Sequence, residues 1–213
     1  PRGIKSWLPE TTLQCAQLTV FQYIEMLANQ PMLEAVRQRV DLRYALHLPL
    51  NSLGLEHQDL CDFRKQLFSD ADNLQLFQNF LDRLTEFGLF TPAKEPVNAI
   101  HLLTTVCTIN RFEEVVDAMY RSLETLALVD PDWLRRIAKP YWYDRYNRRR
   151  KFPTIPIADP KWNMRVLHIG ADIRYLLGQI DQSNHPYLAS LEEIKEIRKI
   201  WDEQYMLQSK GSD

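Results

Sequence analysis

Glycine and cysteine are scarce in this sequence. Only six of its 213 residues are glycine, and they form no glycine-rich loop of the kind that cradles a phosphate. The cysteines Cys15, Cys61 and Cys107 are odd in number and widely spaced, which fits neither a disulfide framework nor a zinc site. We therefore expect reduced thiols and no bound metal or other cofactor.

Long apolar runs and a strong net charge are also missing. No apolar run approaches the roughly 20 residues needed to cross a bilayer, so we expect a cytoplasmic protein with no membrane partner. The formal net charge is only −2, and any contact with nucleic acid must therefore come from local basic clusters. The five histidines are scattered, without the HExxH spacing of a metal site.

Helical periodicity is the dominant pattern in the first part of the chain. Apolar residues recur at spacings of three and four in residues 12–28, 31–46, 58–68 and 72–88, and Gly88 is placed to end the last of these helices. Residues 1–90 are predicted to form a helical bundle, the expected DNA-binding region. A linker with two prolines then begins, and residues 91–110 are interpreted as this linker plus a segment that contains the only candidate strand, near residues 96–106.

The second part of the chain is predicted to be helical as well. The strongest amphipathic pattern covers residues 111–128, and Asp130 followed by Pro131 predicts the start of another helix. Ser190 is predicted to cap a final helix. The predicted fold class is therefore mainly α, with at most one short strand, a second helical region at residues 111–206 and a disordered tail at 207–213.

Two sets of basic residues are candidates for DNA contact. Guanidinium groups pair with phosphates, and aromatic rings stack on bases. The alternatives are a salt-bridged surface for the first set and a solvated loop anchored by its aromatics for the second. The first set is Arg37, Arg39, Arg43, Arg64 and Lys65; the second is Arg145, Arg148, Arg149, Arg150 and Lys151, interleaved with Trp142, Tyr143, Tyr146 and Phe152.

Several segments, taken in order, resemble bacterial insertion-sequence transposases of the DDE class. The segments are LEAVRQRVDLRYALHLPL, LCDFRKQLF, LTEFGLF, IHLLTTVCTINRFE, DPDWLRRIAKPYWYDRYNRRRKF and IRKIWDEQY. The resemblance runs from about residue 18 to residue 205, nearly the whole chain. The resemblance implies a helical N-terminal domain that holds transposon DNA, followed by the start of a catalytic domain.

The resemblance places Asn98 where the family has its first catalytic acid. The family's segment reads RTDSTHVLAAIRTLNRLE, and this chain matches it at His101, Leu103, Asn110 and Arg111, with Val106 in place of isoleucine. The four residues before His101 are Val-Asn-Ala-Ile in place of Thr-Asp-Ser-Thr. Phosphodiester transfer by two metal ions requires carboxylates that carry charge, which an Asn amide does not supply. Because the neighbours are altered too, drift or re-use is favoured over a single inactivating substitution.

These observations leave three functional hypotheses. The first is a transposase-derived, catalytically inactive DNA-binding or regulatory protein that acts as a homodimer or within a larger assembly. The second is a helical protein–protein adaptor, which would expose an apolar patch in place of a basic one. The third is the N-terminal portion of a transposase whose remaining catalytic domain, with the other two acids, is elsewhere.

Overall fold

The computed structural model describes residues 10–52, 54–90, 97–146, 157 and 159–203, and within them the regular structure is helical, with no strand. The fold class is therefore mainly α, as the periodicity predicted. The helices are α1 (Glu10–Glu25), α2 (Asn29–Gln38), α3 (Val40–Ala45), α4 (His57–Ser69), α5 (Ala71–Glu86), α6 (Ala99–Val129), α7 (Pro131–Ile137), α8 (Pro140–Arg145), α9 (Pro160–Asp181) and α10 (Glu192–Trp201).

The segment considered as a possible strand is part of α6. Leu102, Val106 and Ile109 are all buried, and their spacings of four and three place them on one helical face. A lone strand would need a pairing partner, and the described residues contain none. The helix satisfies the same backbone groups internally, so it is the favoured structure.

The chain forms two compact units, Pro1–Asn110 and Arg111–Asp213. The boundary between Asn110 and Arg111 falls within the residue range of α6. Of the predicted linker, residues 91–96 lie outside the described residues, and so does the predicted tail at 207–213.

The core of the first unit is built mainly from α1, α4 and α5. α1 packs against α4, and α4 packs against α5. Leu18, Leu60 and Leu81 of these three helices are almost completely buried. Each of them belongs to an apolar stripe that the sequence pattern predicted.

The core of the second unit is centred on α9. α10 packs against α9, and Ile173, Leu176 and Ile197 are fully buried. From α6, Met119 is also fully buried. The length of α9, 22 residues, gives this unit a long helix against which shorter segments pack.

Local capping signals predicted most of the helix ends that can be compared. The Asp130 side chain accepts a hydrogen bond from the backbone N–H of Trp133 at 3.0 Å, and Pro131 begins α7. Gly88, just after α5, has a φ of 67°, which glycine adopts without steric cost. The prediction for Ser190 is wrong, because its hydroxyl donates to the carbonyl oxygen of Tyr187 and α10 begins after Leu191.

Candidate nucleic-acid interface

Arg43, a member of the first basic set, is buried and serves the local fold. Its Nη2 donates hydrogen bonds to the carbonyl oxygens of Pro49, Leu50 and Ser52 at 2.6, 3.0 and 2.7 Å. These carbonyls belong to the turn after α3, where regular helical hydrogen bonds are not available. The guanidinium thus closes this turn, and it is not presented to a phosphate backbone.

Arg64 is also buried, in a polar network inside the first unit. It donates to Gln22 Oε1 at 3.3 Å and to Asn29 Oδ1 at 2.9 Å. The backbone N–H of Asn29 in turn donates to Asn110 Oδ1 at 2.7 Å. The network ties together residues of α1, α2, α4 and α6, so Arg64 positions helices within the unit.

The remaining members of the first basic set lie at the surface. Arg39 bridges Glu25 at 2.6 Å and Asp41 at 2.7 Å, and the hydrogen bonds that it donates, chiefly the one to Asp41, raise the pKa of its guanidinium. Lys65 lies 3.5 Å from Asp62, while Arg37 is exposed on α2. Arg39 and Lys65 thus form the ion pairs expected of a salt-bridged surface, which was the alternative to DNA contact for this set.

In the second unit, the buried carboxylate of Asp172 holds α8 on α9. Asp172 is only 4% exposed, and it accepts hydrogen bonds from Tyr141 Oη at 3.0 Å and Tyr146 Oη at 2.7 Å. Arg145 Nη1 donates to the same carboxylate and forms an ion pair with it. Three donors therefore compensate the burial of this charge.

The side chains around Asp172 carry the electrostatic signature of this contact. Burial raises the pKa of Tyr146, and the charge of Asp172 raises it further. Burial is the strongest single influence on the pKa of Arg145 and lowers it, but the hydrogen bond to Asp172, the charge of Asp172 and the contact with Tyr146 together outweigh burial, and the net shift is upward. Arg145 therefore remains a cation, and its position is set by its acidic partner.

The beginning of α8 is held by aromatic contacts to α9. The ammonium of Lys139 lies 4.2 Å from the centre of the Tyr175 ring, and Trp142 packs edge-on against the same ring at 6.0 Å. Tyr175 Oη also donates to the carbonyl oxygen of Ile137 at 3.3 Å. The short helix α8 is thus attached to α9 at both ends.

α8 carries exposed aromatic rings, and an exposed cation lies at the end of α7. Tyr143 is 82% exposed and Tyr141 is 47% exposed. Arg136 is exposed at the end of α7, where Arg135 pairs with Asp132 at 2.9 Å. We call Arg136, Lys139, Tyr141, Tyr143 and Arg145 the α8 surface. Its sequence neighbours Arg148, Arg149, Arg150 and Lys151 lie outside the described residues.

Asn98 is the residue before α6, and its polar groups are used by that helix. Its Oδ1 accepts a hydrogen bond from the backbone N–H of His101, and its carbonyl oxygen accepts one from Leu102. His101 is exposed, and its ring lies 6.1 Å from that of Tyr23. Within the part of the chain that the structure describes, no three His, Cys, Asp or Glu side chains are grouped so that they could hold a metal ion.

Sequence reasoning missed Asp172, the residue that organises the α8 surface. A signal was present, because this acid stands between Ile169 and Ile173 in the apolar stripe of α9. A charged residue in such a stripe is almost never buried unless it is paired. Its partners, however, are 26 to 31 residues away in sequence, and no local pattern identifies them.

Comparison with known proteins returned no relative. No protein-family model, no curated protein and no solved structure matches this chain. In the described residues, no helix is both long enough and apolar enough to cross a membrane. The class that the structure defines is a mainly α protein.

Proposed function

We propose that this protein is a transposase-derived DNA-binding or regulatory protein that binds DNA through the α8 surface and does not cut it. The observation that carries the proposal is the attachment of α8 to α9 by Asp172 and Tyr175 while its outward side chains remain accessible. A surface fixed in this way loses little conformational entropy when it binds a ligand.

The local charge supports the proposal. Residues 135–151 contain eight lysines and arginines and a single acid, Asp144, in a chain whose net charge is −2. Such a concentration of cations in an otherwise balanced protein favours a polyanionic partner. Of the first basic set, only Arg37, Arg39 and Lys65 are at the surface to add phosphate contacts, because Arg43 and Arg64 are buried.

The environment of Asn98 supports the absence of cleavage. A neutral amide engaged in a helix cap adds no negative charge for two divalent cations, and the helix that it caps occupies the segment where the resemblance implies a catalytic strand. We therefore expect no strand cleavage by this chain in magnesium or manganese. In the third hypothesis, the missing catalytic portion would restore cleavage when added as a separate chain.

Fluorescence anisotropy with labelled DNA tests the proposal directly. The purified chain is titrated with oligonucleotides of random sequence and with DNA flanking its own gene, over a salt series without added metal. We expect binding that weakens steeply with salt, because phosphate contacts release counterions. The absence of binding at low salt would overturn the proposal.

A specific feature of the first unit favours the adaptor hypothesis as a second candidate. Val40 and Tyr44 are 68% and 83% exposed, and their spacing of four places them on the same face of α3. If the chain does not bind DNA, light scattering would test whether this face of α3 mediates self-association. Self-association lost in the variant Val40→Ser with Tyr44→Ser would support a protein-binding role for α3.

A further inference from the structure

We infer that the ligand of the α8 surface is an unpaired nucleic-acid strand, with a base stacked on Tyr143; the inference rests on the DNA-binding function proposed above. It commits the surface to one class of partner.

Tyr143 is placed as a stacking platform by the residues beside it. Trp142 of α8 and Tyr146, the residue directly after α8, are buried, at 3% and 5% exposure, and being four residues apart they point to the same side. Tyr143 follows Trp142 by about 100° around the helix, and 82% of its surface is open to solvent. The contacts of Trp142 and Tyr146 hold the backbone at Tyr143 in place. The exposed Tyr143 ring therefore projects from a rigid segment.

The neighbouring cations supply the contacts that such a site makes with the phosphates of a nucleic-acid strand. Arg136 is exposed and Lys139 partly exposed on the segment that leads into α8. Arg145 has a different role, because its guanidinium is held by Asp172 and lies 4.6 Å from the centre of the Tyr141 ring. One face of Tyr141 is therefore occupied by a cation, and Tyr143 is the ring with more accessible surface. Residues 131–146 contain two acids, Asp132 and Asp144, and Asp132 pairs with Arg135.

This combination suits an unpaired strand better than a duplex. In a duplex both faces of each base are covered by its neighbours, whereas an unpaired base offers its face to an aromatic ring. α8 has six residues and α7 has seven, and residues 131–146 contain no asparagine or glutamine, the side chains that read adenine in the major groove. Exposed rings and cations are the elements that sequence-tolerant binding of single strands requires.

The test compares a labelled single strand, an oligothymidine of about 15 nucleotides, with a random-sequence duplex of the same length. Both are titrated with the full chain and with Tyr143→Ala, Tyr143→Trp and Tyr44→Ala. Tyr44 is the matched control, because it is 83% exposed on α3 of the other unit. Both alanine substitutions remove an exposed ring, and circular dichroism verifies that the helices persist.

We expect tighter binding to the single strand than to the duplex. Tyr143→Ala is expected to weaken single-strand binding by about 5- to 150-fold, the effect of losing one stacked base. Tyr143→Trp should retain the affinity, and Tyr44→Ala should leave it unchanged.

Each contrary outcome identifies which statement fails. Equal or tighter binding to the duplex would overturn the inference and leave the proposed function intact. Single-strand binding that is insensitive to Tyr143→Ala, or equally sensitive to Tyr44→Ala, would overturn the stacking role of Tyr143. No binding to either DNA at low salt would overturn the proposed function itself.

Discussion

The side-chain oxygen of Asn98 accepts a hydrogen bond of 2.7 Å from the backbone N–H of His101. This contact caps the N-terminus of α6, where the first backbone N–H groups have no partner within the helix. The position that the transposase resemblance gives to a catalytic acid therefore has a helix-capping role in this protein. Aspartate and asparagine cap helices about equally well, so the fold does not distinguish the two residues here.

Substitution of Asn98 should report on the cap. Asn98→Ala is expected to lower the free energy of unfolding by about 1 kcal/mol, because the N–H of His101 loses its acceptor. Asn98→Asp should be as stable as the original chain, since a carboxylate accepts the same bond and is favoured by the helix dipole. Urea denaturation followed by circular dichroism measures both. An aspartate variant as unstable as the alanine variant would contradict the capping role.

Removal of the Asp172 carboxylate should destabilise the second unit. Asp172→Ala is expected to lower the free energy of unfolding by about 3 kcal/mol, because Arg145 and two tyrosine hydroxyls lose their acceptor in a buried site. The matched control is Asp181→Ala, which breaks an exposed ion pair with Arg198 at 2.7 Å and should cost less than about 1 kcal/mol. Equal losses in urea denaturation would show that Asp172 is not the anchor of α8.

Glu113 should make stability depend on pH. Burial raises the pKa of Glu113 above its ordinary value of 4.5, and the charge of Asp117 adds to this, while Arg165 partly opposes it. The folded state thus prefers the protonated form, and stability falls as the pH rises from 4.5 through the raised folded pKa.

Glu113→Gln should therefore be more stable than the original chain at pH values above the raised folded pKa of Glu113. This advantage should be lost at pH values below 4.5. Urea unfolding over a pH series measures the difference, and the control is Glu114→Gln at the exposed neighbouring position. A stabilisation that is the same at every pH would argue against titration of Glu113 as its cause.

The cysteines should differ in their reaction with iodoacetamide. Burial raises the pKa of Cys15 to about 12, so at about pH 8 its thiol carries almost no reactive thiolate. Cys61 is partly exposed, with its sulfur 3.6 Å from His57 Nδ1. We expect Cys61 to be alkylated in the folded chain and Cys15 only after unfolding, as peptide mass spectrometry would show. Modification of Cys15 at the same rate in the folded chain would contradict its burial.

The cations of the α8 surface should account for part of the salt dependence of binding. In Arg136→Ala with Lys139→Ala, the slope of log affinity against log salt for a single strand should become shallower by about 1.4, since each phosphate contact contributes about 0.7. The control pair is Lys195→Ala with Lys199→Ala on α10, where each lysine has an acidic partner, Glu192 or Glu203. Equal changes of slope in the two double variants would contradict the assignment of these phosphate contacts to the α8 surface.

The sequence by itself determined the helical class and several helix ends. The apolar spacings of α4 and α5 and the cap formed by Asp130 with Pro131 act within a few residues, and a local pattern can therefore predict them. The same reasoning left residues 96–106 open to a strand, because a short apolar run fits both kinds of structure. Burial of Leu102 and Val106 on one face decides for the helix.

The environment of each charge was decided only by the tertiary structure. No sequence pattern distinguishes the roles of Arg43, Arg64 and Arg145. In the structure, Arg43 closes a turn, Arg64 lies within a buried amide network and Arg145 is held by Asp172. The partners of Arg64 and Arg145 come from other segments, up to 42 residues away. Helix formation depends on neighbours along the chain, whereas the desolvation and pairing of a charge depend on neighbours in space, and packing alone supplies those.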